Sequence, residues 1–149
     1  MIAYVDASAL LRVVLRQPNA LPEWAQIDRG VSSRLVATES LRTLDRLRLR
    51  AQISDAEVAV RRQTILAVIA SLELIEVSAT VLDRAAQPMP TELGTLDAIH
   101  LASALLWRET TAEDLIMATH DRALGLAPLA HGLRVVGAND LLGTLWRRE

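Results

Sequence analysis

Ile2-Ala3-Tyr4-Val5-Asp6 is a short unbroken apolar run that ends on a carboxylate. Such a run, with no alternating polar residues, reads as a strand covered on both faces, the signature of a parallel sheet. Leu115-Ile116-Met117-Ala118-Thr119-His120-Asp121 repeats the arrangement near the other end of the chain. Asp6 and Asp121 then emerge at the carboxyl ends of two strands, the edge at which open α/β sheets bind ligands.

Between these two stretches, strand and helix patterns alternate. Ser8 to Leu15 continues as a helix that Pro18 stops, and Leu21 to Ile27 reads as another short helix. Val31 to Leu35 is a weak strand. Val36 to Gln52 carries Ala37, Leu41, Leu44, Leu47 and Ala51 at helical spacing. Ser54-Asp55-Ala56-Glu57 is a capping box that opens a helix running to Leu72, so the two helices form an arm. Leu74 to Val77 is a strand, Ala79 to Ala86 a helix, and Pro88-Met89-Pro90 a loop. Thr95 caps a helix running to Trp107, Asp114 to Ala118 is a strand, and Asp121 to Leu126 a short helix. Arg134 to Val136 is a last strand and Asn139 caps a closing helix. This alternation predicts an α/β fold with a mostly parallel sheet covered on both faces.

The 149 residues, 51% hydrophobic, suit one domain spanning 1–149 with a sizeable core. With no cysteine, disulfides and thiolate metal sites are excluded. No apolar run approaches a membrane span and no basic signal region opens the chain, so a cytoplasmic protein without membrane contact is expected. All 16 basic residues are arginine. A lysine-dependent phosphate loop is therefore impossible, and the lysine-using receiver domains and aspartyl-phosphate phosphohydrolases do not fit either. A net charge of −2 excludes a surface that is basic throughout, so local arginines must carry any nucleic-acid binding.

Four acids stand out: Asp6, Glu39, Asp97 and Asp121. Each has a plain structural reading. Asp97 lies in the first turn after Thr95, where a negative charge favours the helix dipole by roughly 0.3–1 kcal/mol. Asp121 suits an N-cap, and Glu39 lies opposite the apolar stripe of its helix, as a solvated glutamate would. Asp6 is harder to place, because an ionised carboxylate ending a buried strand costs several kcal/mol unless paired or metal-bound, and no basic residue precedes Arg12. Should these acids meet at one sheet edge, their repulsion calls for a cation, and an all-oxygen ligand set selects Mg²⁺ or Mn²⁺.

Tyr4-Val5-Asp6-Ala7-Ser8-Ala9-Leu10, Glu39 in a helix after a short strand, Leu96-Asp97-Ala98-Ile99-His100-Leu101-Ala102 and Thr119-His120-Asp121-Arg122-Ala123-Leu124 resemble, in this order, the successive motifs of PIN-domain ribonucleases. The subgroup they are most similar to is the VapC-like toxins of type II toxin-antitoxin systems. The motifs span nearly the whole chain, although residues 52–90 carry nothing diagnostic. The resemblance implies a PIN-like three-layer α/β/α fold with a helical arm. It also implies that Asp6, Glu39, Asp97 and Asp121 bind one or two divalent cations, with Ser8 and Thr119 supporting them through their hydroxyls. The activity implied is Mg²⁺- or Mn²⁺-dependent hydrolysis of an RNA substrate, with water attack leaving a 5′-phosphate and a 3′-hydroxyl. The partners implied are a second copy of the chain in a homodimer and a VapB-like antitoxin whose tail covers the arm and the acidic cleft. The alternative is a non-catalytic PIN-fold protein-binding module, and a structure-specific DNA nuclease fits less well.

Three further features carry two readings each. His100 shares a helix face with Asp97, as a ligand or, more commonly for such a residue, as a packed and hydrogen-bonded core histidine. His120 is a surface or supporting residue. Arg42, Arg46 and Arg50, with Arg61 and Arg62 on the next helix, form either a solvated face with Glu39 paired to Arg42 or a rim that draws RNA phosphates to an acidic site.

Overall fold

The computed structural model describes residues 1–138; the cap predicted at Asn139 and its helix lie outside them. The strands are β1 (Ile2–Val5), β2 (Arg29–Ser33), β3 (Glu73–Ile75), β4 (Ile116–Ala118) and β5 (Arg134–Val136). The helices are α1 (Ala7–Val14), α2 (Leu35–Leu49), α3 (Asp55–Ala70), α4 (Ala79–Ala85), α5 (Thr95–Thr111) and α6 (Arg122–Ala130), with a 3-10 turn over Pro22–Gln26 where a short helix was expected. Every strand pairing is parallel and the order is β3-β2-β1-β4-β5. The chain therefore winds outward from β1 in one direction, then returns to add β4 on its other side. That reversal opens a crevice beyond the carboxyl ends of β1 and β4.

Alternation along β1 divides the core between the two faces. Ala3 and Val5 pack with Leu10, Val14, Val36, Leu44, Ile65 and Ile69 of α1, α2 and α3. Tyr4 points the other way, with Leu101, Leu105, Met117, Leu124 and Ala127 of α5, β4 and α6. Each fully buried leucine contributes roughly 1.5–3 kcal/mol, so both helical layers are held mainly by this burial. Within the arm, Leu44 and Ile65 are core, while Leu49, Val60 and Leu66 are exposed. Among the described residues no helix is long and apolar enough to cross a membrane.

The predicted capping box is present: Ser54 Oγ accepts the Glu57 N–H, and the Glu57 carboxylate accepts the Ser54 N–H. Two helix boundaries differ from expectation. Gly94, and not Thr95, is the N-cap of α5, whose far end runs past Trp107 to Thr111 before Ala112 turns left-handed at φ 57°. Helix α6 continues through Pro128 to Ala130, although a helix-interior proline costs about 3 kcal/mol. Burial of Leu124, Ala127 and Pro128, the first two packed with Leu101 and Leu105 of α5, offsets that loss.

Candidate active site

Asp6 is the N-cap of α1, and its Oδ1 accepts the Ala9 N–H at 2.9 Å. Ser8 Oγ lies 2.8 Å from both Asp6 oxygens, and Thr119 Oγ1 donates to Asp6 Oδ2 at 2.7 Å. Beside the counter-charge or metal that the sequence calls for, this buried carboxylate has three hydrogen-bond donors. Burial still pushes the Asp6 carboxyl above the usual range, against the opposing pull of Ala9, Thr119 and Ser8.

The same hydroxyls tie β1 to the turn after β4. Ser8 Oγ accepts the His120 N–H at 2.8 Å and Thr119 Oγ1 accepts the Asp121 N–H at 3.0 Å. Asp121 caps α6 through Oδ1, which accepts the Leu124 N–H at 2.9 Å. Gly137 allows this close packing: its φ is 89°, and a Cβ there would stand 2.5 Å from the Thr119 carbonyl oxygen.

Glu39 and Asp97 come to this edge from the two helices on either side. Ser33 Oγ accepts the Leu35 N–H at 3.3 Å, which starts α2 directly at the end of β2 and sets Glu39 one turn further on. Glu39 is only partly exposed and is not paired to Arg42. Its Oε2 lies 2.6 Å from His100 Nε2, and His100, 2% exposed, is the packed and hydrogen-bonded histidine of the commoner reading. His100 Nδ1 in turn meets the Tyr4 hydroxyl at 2.8 Å. Asp97 lies in the first turn of α5, half-buried. Its carboxyl is pushed above the usual range first by burial and then by the charge of Asp121, with Asp6 and Glu39 adding to it and His100 opposing. Asp97 thus feels the charges of the other three acids at this edge.

The arginines stand elsewhere. Arg42 pairs with Asp45 at 3.0 Å, and Arg46 donates to Thr43 Oγ1 at 2.6 Å, both on the exposed side of α2. The Glu39–Arg42 pair is replaced because the i+3 aspartate and the buried histidine are the better-placed partners. Arg61 turns inward to the Val14 carbonyl. His120 is half-buried, its ring held below the usual range by burial and by Arg12.

In donor chemistry the cluster fits a hard dication: carboxylates alone, mutually repelling, at the open edge of a sheet. Among the described residues, however, no three His, Asp or Glu side chains are already placed to hold an ion. What sequence reasoning missed is that Asp6 caps α1 and that His100 binds Glu39. The first was signalled by Asp6-Ala7-Ser8 at a strand end, whereas the second joins residues remote in sequence and had no local signal.

A family profile described as PIN domain matches residues 3–128. Ribonuclease VapC46 of Mycobacterium tuberculosis is 36% identical over 135 residues, an alignment covering 85% of this chain and 95% of that protein. Among solved structures, a toxin-antitoxin complex from Klebsiella pneumoniae has a similar fold, with a TM-score of 0.62 at 18% identity over 85% of this chain and 92% of that one. PAE2754 from Pyrobaculum aerophilum gives a TM-score of 0.60 at 20% identity, covering 99% of this chain and 91% of that one.

Proposed function

This chain belongs to the PIN-domain family, and from that premise we propose that it is a divalent-cation-dependent endoribonuclease, the toxin of a VapBC-type pair acting in the cytoplasm. What carries the proposal is the placement of Asp6 and Asp121 just beyond the carboxyl ends of β1 and β4 at the sheet's reversal point, with the Glu39–His100 bond joining α2 to the helix that bears Asp97. Identity to a named ribonuclease along most of both chains supports it.

The four acids would hold Mg²⁺ or Mn²⁺, with Asp6 and Asp121 anchored by their caps and Glu39 by His100. A cation held by these carboxylates would supply Lewis-acid activation of water and neutralisation of charge on the phosphodiester oxygens. Asp97, half-buried in the first turn of α5, would accept the water's proton on its carboxylate. Ser8 and Thr119 fix Asp6 so that it need not be ordered during reaction. Arg42 and Arg46, on the outer side of the helix that bears Glu39, supply the phosphate-binding rim.

A toxin-antitoxin complex among the structural neighbours supports a VapB-like partner. The exposed Leu49, Val60 and Leu66 on the arm suit that antitoxin or the second copy of a homodimer. A second reading, a non-catalytic protein-binding module, is favoured by the capping roles that Asp6 and Asp121 already fill and by the lack of a ready three-ligand group among the described residues.

RNA and DNA oligonucleotides incubated with Mn²⁺ or with EDTA separate the readings. The wild type cleaves RNA to 5′-phosphate ends in Mn²⁺ and not in EDTA. Asp6→Asn, which keeps an N-cap, and Asp97→Asn do not cleave, although each folds. Undiminished cleavage by either variant refutes the site. A wild type that cleaves nothing yet binds its antitoxin establishes the module.

A further inference from the structure

Tyr4, His100 and Glu39 form a continuous chain from β1 through α5 to α2. The Tyr4 hydroxyl lies 2.8 Å from His100 Nδ1, and His100 Nε2 lies 2.6 Å from Glu39 Oε2. The tyrosine and histidine rings also meet edge to face, with centroids 5.8 Å apart and planes at 81°. Tyr4 is fully buried and His100 nearly so, while Glu39 reaches the crevice with its side chain 23% exposed. We propose that Tyr4 and His100 are positioning residues that set the orientation of the Glu39 carboxylate for the cation site, an inference that rests on the nuclease reading above.

The direction of the hydrogen bonds follows from the chemistry of the three groups. A phenol is ordinarily protonated at neutral pH, so Tyr4 donates and Nδ1 accepts. Nε2 must then carry a ring proton, because it faces a carboxylate that can only accept. Every donor in the chain meets an acceptor, and a ring flip would set Cδ2 against the Tyr4 hydroxyl and Cε1 against Glu39, losing both bonds. One oxygen of Glu39 is thereby engaged and Oε1 is left for a ligand. Glutamate is long and has many rotamers, so without this partner its carboxylate would be disordered over several positions.

Placement strengthens the argument. Tyr4 lies two residues before Asp6, and His100 lies three residues after Asp97 on one helix. The relay therefore ties together β1, α2 and α5, the elements that carry Asp6, Glu39 and Asp97. Hydrogen-bonded partners behind a metal ligand typically change metal affinity by about 10–100-fold when removed.

The test has a metal-free and a metal-binding arm. In the metal-free protein, long-range ¹H–¹⁵N correlation should show His100 as the Nε2–H tautomer, and Tyr4→Phe, which removes only the hydroxyl, should shift the Nδ1 resonance while Nε2 keeps its proton against Glu39. In calorimetric Mn²⁺ titrations, His100→Leu should bind about 10–100-fold more weakly than wild type. His100→Gln, whose amide N–H can still donate to Glu39, should recover most of that loss, and His100→Leu should cost nothing further in a Glu39→Gln background. An Nδ1–H tautomer in the wild type, or unchanged Mn²⁺ affinity in both Tyr4→Phe and His100→Leu, overturns the relay. Absence of Mn²⁺ uptake by the wild type sinks the nuclease reading instead, and the ring spectrum of the metal-free protein then decides the relay alone.

Discussion

Replacing Thr119 by valine keeps the shape of a side chain that has no solvent exposure and removes only its hydroxyl. That hydroxyl donates to Asp6 Oδ2 at 2.7 Å and accepts the Asp121 N–H at 3.0 Å. A hydrogen bond to a charged group contributes about 1.5–3 kcal/mol, and leaving a part-buried N–H without a partner adds about 1 kcal/mol. The variant should therefore be destabilised by about 3 kcal/mol, which for a chain of this size lowers the thermal midpoint by roughly 6–12 °C. Urea titration followed by tryptophan fluorescence measures it as a lower midpoint at unchanged slope. The cost should shrink on acidification, because a protonated Asp6 loses less when this donor is removed. It should also be less than additive with Ser8→Ala, since both hydroxyls serve the same carboxylate. A loss under about 0.5 kcal/mol, the size of an ordinary surface substitution, would refute the claim that this hydroxyl holds the Asp6 carboxylate.

Burial pushes the Asp6 carboxyl up, and burial with Asp121 pushes Asp97 up. The folded protein thus keeps protons that the unfolded chain releases around pH 4, so metal-free stability should fall as pH rises from the ordinary carboxylate range through the raised values, then stay reduced. Thermal midpoints across pH with and without Mn²⁺ check this: the cation should recover the loss at neutral pH, and a midpoint that rises through that window contradicts it. Asp97→Asn should raise the metal-free midpoint at pH 7, because its surroundings disfavour the charge despite the helix dipole; a lower midpoint would show the dipole to be the larger effect. Replacing Arg42 and Arg46 by glutamine should reduce the slope of log affinity for single-stranded RNA against log salt by about 1.4, at about 0.7 per lost phosphate contact. An unchanged slope returns both residues to the solvated face that their pairing with Asp45 and Thr43 already describes. Light scattering at micromolar concentration should show a dimer, and a monomer removes that partner.

Local patterns were the readily legible part of this protein. The apolar runs at Ile2–Val5 and Ile116–Ala118, the periodic leucines of α2 and the Ser54–Glu57 capping box depend on neighbours within a few residues, so the amino-acid order alone places them. The same holds for Asp6 and Asp121 at strand ends, and for the ordered motifs that resemble the PIN family. Helix ends were less legible, because burial of Leu124, Ala127 and Pro128 carries α6 past a residue that would stop an isolated helix. What only the tertiary structure decided is where the charges go. Glu39 turns from solvent to His100, Arg42 turns to Asp45, and Asp6 is satisfied by Thr119 from the far end of the chain. Hydrogen bonds act over about 3 Å and electrostatic shifts over little more, whereas the residues they join lie far apart along the sequence. The sheet order that brings β1 beside β4 must exist before those partners can meet.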